Sequence, residues 1–204
     1  MKNMVRGLFL FSMLVVCCST IAEGADGGSY LERGDFYYNE GEYDRAIKDY
    51  SNAVSLKPDL AEAYYHRGLA YYKMDKYDEA IEDYSKAISL YPPPGEAQLY
   101  HNRGLVYLKK GSYDKAIEDY TKAITINPKF TEGYHNRGIA YSRKGMYDEA
   151  IEDYNRALSI RPNYGGAYFS RGIAYVRKAA EDFRKVCDMG DKNACENLKQ
   201  LSEE

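Results

Sequence analysis

The chain predicts an all-α fold, an α-solenoid made by stacking one helix-turn-helix unit on the next, and three observations predict it. The glycine of an Arg-Gly pair recurs at Gly34, Gly68, Gly104, Gly138 and Gly172, at spacings of 34, 36, 34 and 34 residues. A fixed period in this range is the signature of a repeat architecture. Counting units from residues 27, 61, 97, 131 and 165, aromatic or small residues fall at positions 4, 8 and 11 and again at 20, 24 and 27. That is one apolar face on each of two helices per unit. The third observation is a turn signal between the helices and a proline after the second in the first four units. A single helical pair cannot bury its apolar face alone, so neighbouring units must stack.

Residues 1–25 precede the repeats. MKNMVR carries two basic residues and is followed by the apolar GLFLFSMLVVCC and the small, polar STIAEGADGG, the order of a secretory signal peptide. The apolar stretch is shorter than the roughly 20 residues that span a bilayer. Two processing routes stay open. Peptidase cleavage would fall after Ala22 or Gly24; alternatively, Val15-Val16-Cys17-Cys18 resembles a bacterial lipoprotein box with Cys18 as the lipidated residue, although Cys17 stands where Gly, Ala or Ser is usual. Either route exports the chain to the periplasm, to a lipid anchor in the bacterial envelope, or to the medium.

The four full units occupy residues 27–60, 61–96, 97–130 and 131–164. Gly41, Gly111 and Gly145 are expected to end the first helix in left-handed geometry, with Asp75 as the exception. Asp44, Asp78, Asp114 and Asp148 are expected to accept the free amides that open the second helix. Pro58, Pro92, Pro128 and Pro162 stop it. The wider spacing after Gly68 comes from the extra residues in YPPPGEAQ, Tyr91 to Gln98.

The fifth unit, 165–190, is short. AYVRKAAEDF, Ala174 to Phe183, stands where AYSRKGMYDEAIEDY, Ala140 to Tyr154, stood one unit earlier, and the five missing residues held the turn. Tyr168, Gly172, Tyr175, Ala179, Phe183 and Val186 nevertheless keep to one helical stripe. The spacing predicts a single fused helix from about 166 to about 189, roughly 35 Å long at 1.5 Å per residue. Phe183 and Val186 then lose the surface their own repeat should supply, and a second chain could supply it in a two-fold dimer. The competing outcome is a monomer with a strained turn near Arg177 to Ala179. Residues 191–204 close the chain with a helix that Asp191 can cap and whose Ala194, Leu198 and Leu201 form an apolar stripe.

The pattern Tyr-x3-Gly-x2-Tyr, turn, Tyr-Asp, Ala, Tyr, Pro resembles the tetratricopeptide repeat, and the resemblance covers about residues 27 to 190. It implies a right-handed superhelix whose concave side is built from positions 2, 5, 9, 12 and 13 of the first helices. The groove it implies here comprises Tyr65, Leu69, Tyr72 and Lys73; His101, Leu105, Leu108 and Lys109; His135, Ile139 and Arg143; and Phe169, Ile173 and Arg177. Aromatic and aliphatic residues with a basic edge suit a peptide or protein with apolar anchors and acidic residues. The chaperone-clamping members of the family use Lys at position 5 and Asn at position 9. Neither occurs at those positions here. Arg33, Arg67, Arg103, Arg137 and Arg171 fill position 7, where the family often has Leu, and could form a ladder with acidic residues of neighbouring second helices. Cys187 and Cys195 resemble the pair that staples adjacent helices in the exported, cysteine-rich relatives of this family, and the resemblance implies a disulfide.

The remaining candidates for chemistry are absorbed by the repeat. Eighteen of the 23 tyrosines fall at positions 4, 11, 17 and 24, as packing residues. Glu82-Asp83, Glu118-Asp119 and Glu152-Asp153, like Glu181-Asp182, read as solvated helix faces with a base four residues beyond each Glu. His66, His101 and His135 stand on successive first helices, about 10 Å apart. That is too wide for one metal ion. No nucleophile elbow, phosphate loop or dinucleotide fingerprint is present. A charge of −3 without like-charge runs gives no nucleic-acid footprint. The reading is therefore a non-catalytic adaptor of the cell envelope, without cofactor or metal, with self-assembly through the C-terminal helix as its alternative.

Overall fold

The computed structural model describes residues 26–91 and 96–203. The leader expected at 1–25, Cys18 with it, and Pro92 lie outside the described residues. Among those residues there are ten helices and no strand, in two compact units that divide after Tyr91.

The first unit contains α1 (Gly27–Asn39), α2 (Tyr43–Leu56), α3 (Ala61–Lys73) and α4 (Tyr77–Leu90). Each consecutive pair is an antiparallel hairpin, and α2 packs on α3 through Ala46, Tyr50 and Ala70 and through Ala53, Val54 and Ala63. Small residues there let the helices approach closely, and the tyrosine fills what remains. The second unit contains α5 (Ala97–Lys109), α6 (Tyr113–Ile126), α7 (Thr131–Arg143), α8 (Tyr147–Ile160), α9 (Gly165–Asp188) and α10 (Lys192–Glu203). Ala116, Tyr120 and Ala140, then Ala150, Ile151, Tyr154 and Ala174, repeat the same packing.

The turns inside the hairpins take three residues. Gly41, Gly111 and Gly145 have φ of +79°, +73° and +80°, and Asp75 adopts +57° in the equivalent place. Its carboxylate accepts a hydrogen bond from the Tyr77 hydroxyl at 2.6 Å, which helps an L-residue hold a conformation that ordinarily favours glycine.

The aspartates expected as caps are not caps. Glu42, Lys76, Ser112 and Met146 occupy the N-cap positions, without a side-chain cap bond, and Asp44, Asp78, Asp114 and Asp148 lie inside the first turn of their helices. The turn is so tight that the chain is already helical where the carboxylate appears. It favours the helix through the macrodipole instead. Asp114 and Asp148 also form ion pairs with Lys144 and Lys178, 30 residues on in the next repeat.

α9 runs unbroken from Gly165 to Asp188, where the sequence predicted a fused helix and left a strained turn as the competing outcome. Gly190, at φ +97°, ends it, and Asp191 caps α10 by accepting from the Ala194 amide at 2.9 Å. Cys187 and Cys195 are joined by a disulfide across this turn.

Candidate functional site

Each unit carries a cleft between two successive first helices, floored by the tyrosine of the intervening second helix. In the second unit Ile139, Ser142 and Arg143 of α7 face Ser170, Ile173 and Arg177 of α9 across a cleft of about 180 Å³, with Tyr154 at its base. In the first unit Asp35, Tyr38 and Asn39 of α1 face His66 and Leu69 of α3 over Tyr50, enclosing about 270 Å³. The two clefts are built from equivalent repeat positions, yet their chemistry is opposite.

In the second unit, the walls are the isoleucine side chains and the rim is cationic. Arg143 and Arg177 are exposed and make no ion pair among the described residues. Their charge acts on Tyr154, whose hydroxyl burial pushes up to about 12 against the lowering influence of a hydrogen bond from Ser170 and of both arginines. A chain of polar groups leads to it. The Tyr164 hydroxyl lies 3.2 Å from His135 Nδ1, His135 Nε2 lies 3.1 Å from Ser170 Oγ, and Ser170 neighbours Tyr154. Burial depresses the His135 pKa, which keeps the imidazole neutral in this role. At that pKa the Tyr154 hydroxyl keeps its proton, which it can donate to a ligand in the cleft.

In the first unit the equivalent polar capacity is already used. Tyr50 donates to Asp35 Oδ1 at 2.8 Å, and His66 Nδ1 contacts the same carboxylate. Burial, followed by the bond to Asp35, holds the Tyr50 hydroxyl far above its usual range. Asp35 stands where the second unit has Ile139, and Asn39 where it has Arg143, so this cleft presents a carboxylate and no guanidinium.

The groove residues expected from sequence separate accordingly. Ile139, Arg143, Ile173 and Arg177 converge on the second cleft and Leu69 lines the first, whereas Tyr65 and Tyr72 are half-buried on α3 and Lys73 is exposed beyond them. Leu105 and Leu108 are half-buried against Ala116, Tyr120 and Ala140, while Lys109 is exposed. His101 does not line a groove. It is buried between the Tyr120 and Phe130 rings, accepts from Asn136 Nδ2 at 2.8 Å and donates to Asn102 Oδ1 at 3.3 Å, and burial lowers its pKa. The long Asn136 closes over it, whereas the Phe130 ring has its equivalent in Tyr164 beside His135. His135 has the smaller Ser170 opposite and stays half-buried. Phe169 is 73% exposed on α9.

Two further expectations are corrected by the packing. In three of the four Glu-Asp pairs the aspartate is not solvated: Asp83, Asp119 and Asp153 are buried, as is Asp49 at the equivalent position, and only the Glu faces water, whereas Glu181 and Asp182 are both exposed. The position-7 arginines reach them within the same repeat, not in a neighbour. Arg33, Arg67, Arg103 and Arg137 clasp Asp49, Asp83, Asp119 and Asp153 with two N–H···O bonds each, at 2.6 to 2.8 Å. Burial raises the Asp153 carboxyl pKa even so, and the two-pronged guanidinium is what keeps it ionised. The link between repeats is weaker: Arg67 and Arg137 each donate at 3.0 Å to a hydroxyl of the preceding repeat, Ser51 and Thr121. The sequence signal for the clasp was the constant 16-residue offset between Arg and Asp.

Sequence reasoning passed over Tyr154 and Ser170 as site residues, because Tyr154 repeats at a packing position and a lone serine has no pattern. Among the described residues, no three His, Cys, Asp or Glu side chains converge as metal ligands.

A family model described as "TPR repeat" matches residues 34–75, and one described as "Tetratricopeptide repeat" matches 61–93, 97–130 and 131–164. No curated protein matches the sequence. Among solved structures, the chain is similar to the MamA protein, at 27% identity and a TM-score of 0.71, covering 87% of this chain and 90% of that one. It is similar to YrrB, described as having an unusual peptide-binding site, at 25% identity and a TM-score of 0.69, covering 90% and 97%. The first repeat domain of Spaghetti (RPAP3), bound to the HSP90 peptide SRMEEVD, matches 56% of this chain and 90% of its own length at 30% identity and a TM-score of 0.54.

Proposed function

Because the chain belongs to the tetratricopeptide repeat family, whose solved neighbours are protein-interaction modules, we propose that it is a non-catalytic adaptor that holds an acidic, apolar peptide segment in the cleft of its second unit. The observation that carries this reading is the pair of unpaired guanidinium groups, Arg143 and Arg177, set beside Ile139 and Ile173 above the Tyr154 hydroxyl. An apolar side chain would enter between the isoleucines while flanking carboxylates meet the arginines, and a carbonyl could accept from Tyr154. The first cleft has a carboxylate in the equivalent place and would repel the same ligand.

Two neighbours support a peptide ligand: the peptide-binding site ascribed to YrrB, and the SRMEEVD peptide bound to the Spaghetti domain. The contacts must differ from those of the chaperone-clamping members, since His101, His135, Leu105 and Ile139 stand where those have Lys and Asn. Here the positive charge comes from position 13. We place this activity in an exported, envelope-associated protein. The leader-like residues 1–25 support that, as does the Cys187–Cys195 disulfide, a bond that persists in oxidising compartments.

The test is fluorescence anisotropy with a displayed library of six-residue peptides pairing Leu, Ile or Phe with Asp and Glu, and a lysine-for-acid library as control. Acidic binders with affinity in the micromolar range, weakened by salt and lost in Arg143→Glu and Arg177→Glu, are expected. Equal capture of both libraries, or acidic binders indifferent to the two arginines, would refute the cleft as the site.

A further inference from the structure

In each of the first four repeats the position-8 glycine is a socket for its own second helix. A Cβ at Gly34, Gly68, Gly104 or Gly138 would lie 2.5, 2.9, 2.8 or 2.7 Å from the ring of Tyr50, Tyr84, Tyr120 or Tyr154. The residue before each glycine is the arginine that clasps the aspartate before each tyrosine. Tyr134 packs beside Ala157, and Tyr141 beside Ala150.

In the fifth repeat this socket is built but empty. A Cβ at Gly172 would meet nothing within 4 Å. Arg171 donates to Asn155 of the preceding repeat and has no carboxylate partner among the described residues. Tyr168 and Tyr175, on either side, are 51% and 52% exposed, against the near-complete burial of Tyr154.

The matching half is present in the sequence at the wrong place. Asp182-Phe183 is the Asp-Tyr pair brought five residues closer by the missing turn, with Ala179 and Val186 at the positions of Ala150 and Ala157. It sits on the same unbroken helix as the socket. Gly172 and Phe183 are separated by roughly 16 Å of rigid helix, at 1.5 Å per residue. No bend brings them together.

We propose that a second copy of this chain completes the fifth repeat, each α9 laying its second half on the first half of the other. The pairs of a finished hairpin carry over as Arg171 with the partner's Asp182, Gly172 with the partner's Phe183, Tyr168 with the partner's Val186 and Tyr175 with the partner's Ala179. Each pair is centred within half a residue of Arg177. A single two-fold axis there satisfies both sockets at once, which is the condition for a closed, isologous dimer. Arg177 itself lies on the opposite face of the helix, in the cleft, so the axis does not oppose two guanidinium groups. The occupant is set by charge as well as shape, because each Arg171 gains the carboxylate that its four counterparts have. This inference goes beyond the cleft reading and does not rest on it, since peptide capture needs neither Gly172 nor Asp182.

Light scattering on the full chain, without reductant and from about 1 to about 100 µM, tests it. Twice the protomer mass is expected. Gly172→Leu, which has open space in the protomer, is expected to weaken dimerisation at least tenfold by meeting the partner's Phe183. Arg171→Asp and Asp182→Arg are each expected to weaken it similarly, and the double variant to restore it; far-UV circular dichroism checks that each variant is folded. A wild-type protomer that stays monomeric at the highest concentration overturns the proposal, leaving this face to a different protein. So does a dimer indifferent to Gly172→Leu and to the charge reversal, because it would assemble through another surface.

Discussion

The fourth and fifth repeats begin alike and end differently. Both present an Arg-Gly pair flanked by tyrosines on a first helix, Arg137-Gly138 on α7 and Arg171-Gly172 on α9. In the fourth, a turn at Gly145 folds α8 back, Tyr154 closes on Gly138 and Asp153 enters the grip of Arg137. In the fifth, five residues are missing, the helix runs straight on, and the same glycine and arginine meet open space and an asparagine. A conserved-looking local pattern therefore has no fixed energetic value. What it contributes depends on whether the chain returns to it.

The arginines give the largest contrast. Asp153 is 4% exposed, so Arg137→Met strands a buried carboxylate and should cost about 3 to 5 kcal/mol. Arg171→Met removes only exposed contacts, the bond to Asn155 and the stacking over the Tyr168 ring, and should cost at most about 1 kcal/mol in the isolated protomer. Urea denaturation at low micromolar concentration measures both, and similar costs would erase the distinction between the two repeats.

The glycines sharpen it at smaller amplitude. Gly138→Ala pushes a methyl to 2.7 Å from the Tyr154 ring and should destabilise by about 1 to 3 kcal/mol through overpacking. Gly172→Ala meets nothing and should stabilise the protomer by about 0.5 to 1 kcal/mol through helix propensity. Opposite signs in thermal unfolding are the expected result.

The smallest effect concerns the histidines at the junctions that lead into these repeats. Burial depresses the pKa of both His101, bonded to Asn136 of the fourth repeat, and His135, bonded to Ser170 of the fifth. The unfolded chain takes up these protons below about pH 6.5, and the folded chain resists. Stability is therefore full above that pH and declines as pH falls toward the depressed folded values, with a slope of at most about 1.4 kcal/mol per pH unit for each histidine. His101→Phe, which keeps a ring between Tyr120 and Phe130, should remove one proton from that slope. Denaturation midpoints between pH 5 and 7 measure it, and an unchanged slope would mean that His101 is not held neutral.

The helices of the full repeats were legible because period, turn residues and prolines act locally and agree with one another. The fused α9 was legible for the same reason, since no Gly or Pro interrupts residues 173–188. Misreadings arose where a residue's role depends on what approaches it from elsewhere. Asp153 and Glu152 are neighbours in sequence and both acidic, yet one is buried in an ion pair and the other is solvated, and only the helix crossing decides which. His101 and His135 occupy the same repeat position, each beside an equivalent ring, and the size of Asn136 buries the first, while Ser170 leaves the second half-open.

By itself, then, the sequence determined the all-helical repeat, its register, and the loss of the fifth turn, because these follow from backbone preferences and the 3.6-residue period. The tertiary structure decided which charges are buried, that Tyr154 is a cleft floor with a proton to donate, that the two clefts have opposite polarity, and that Gly172 is an unfilled socket. Those properties belong to the spaces between helices. They come from side chains 16 to 35 residues apart meeting across a helix interface, where burial and the partner, not the residue type, set charge state and energy.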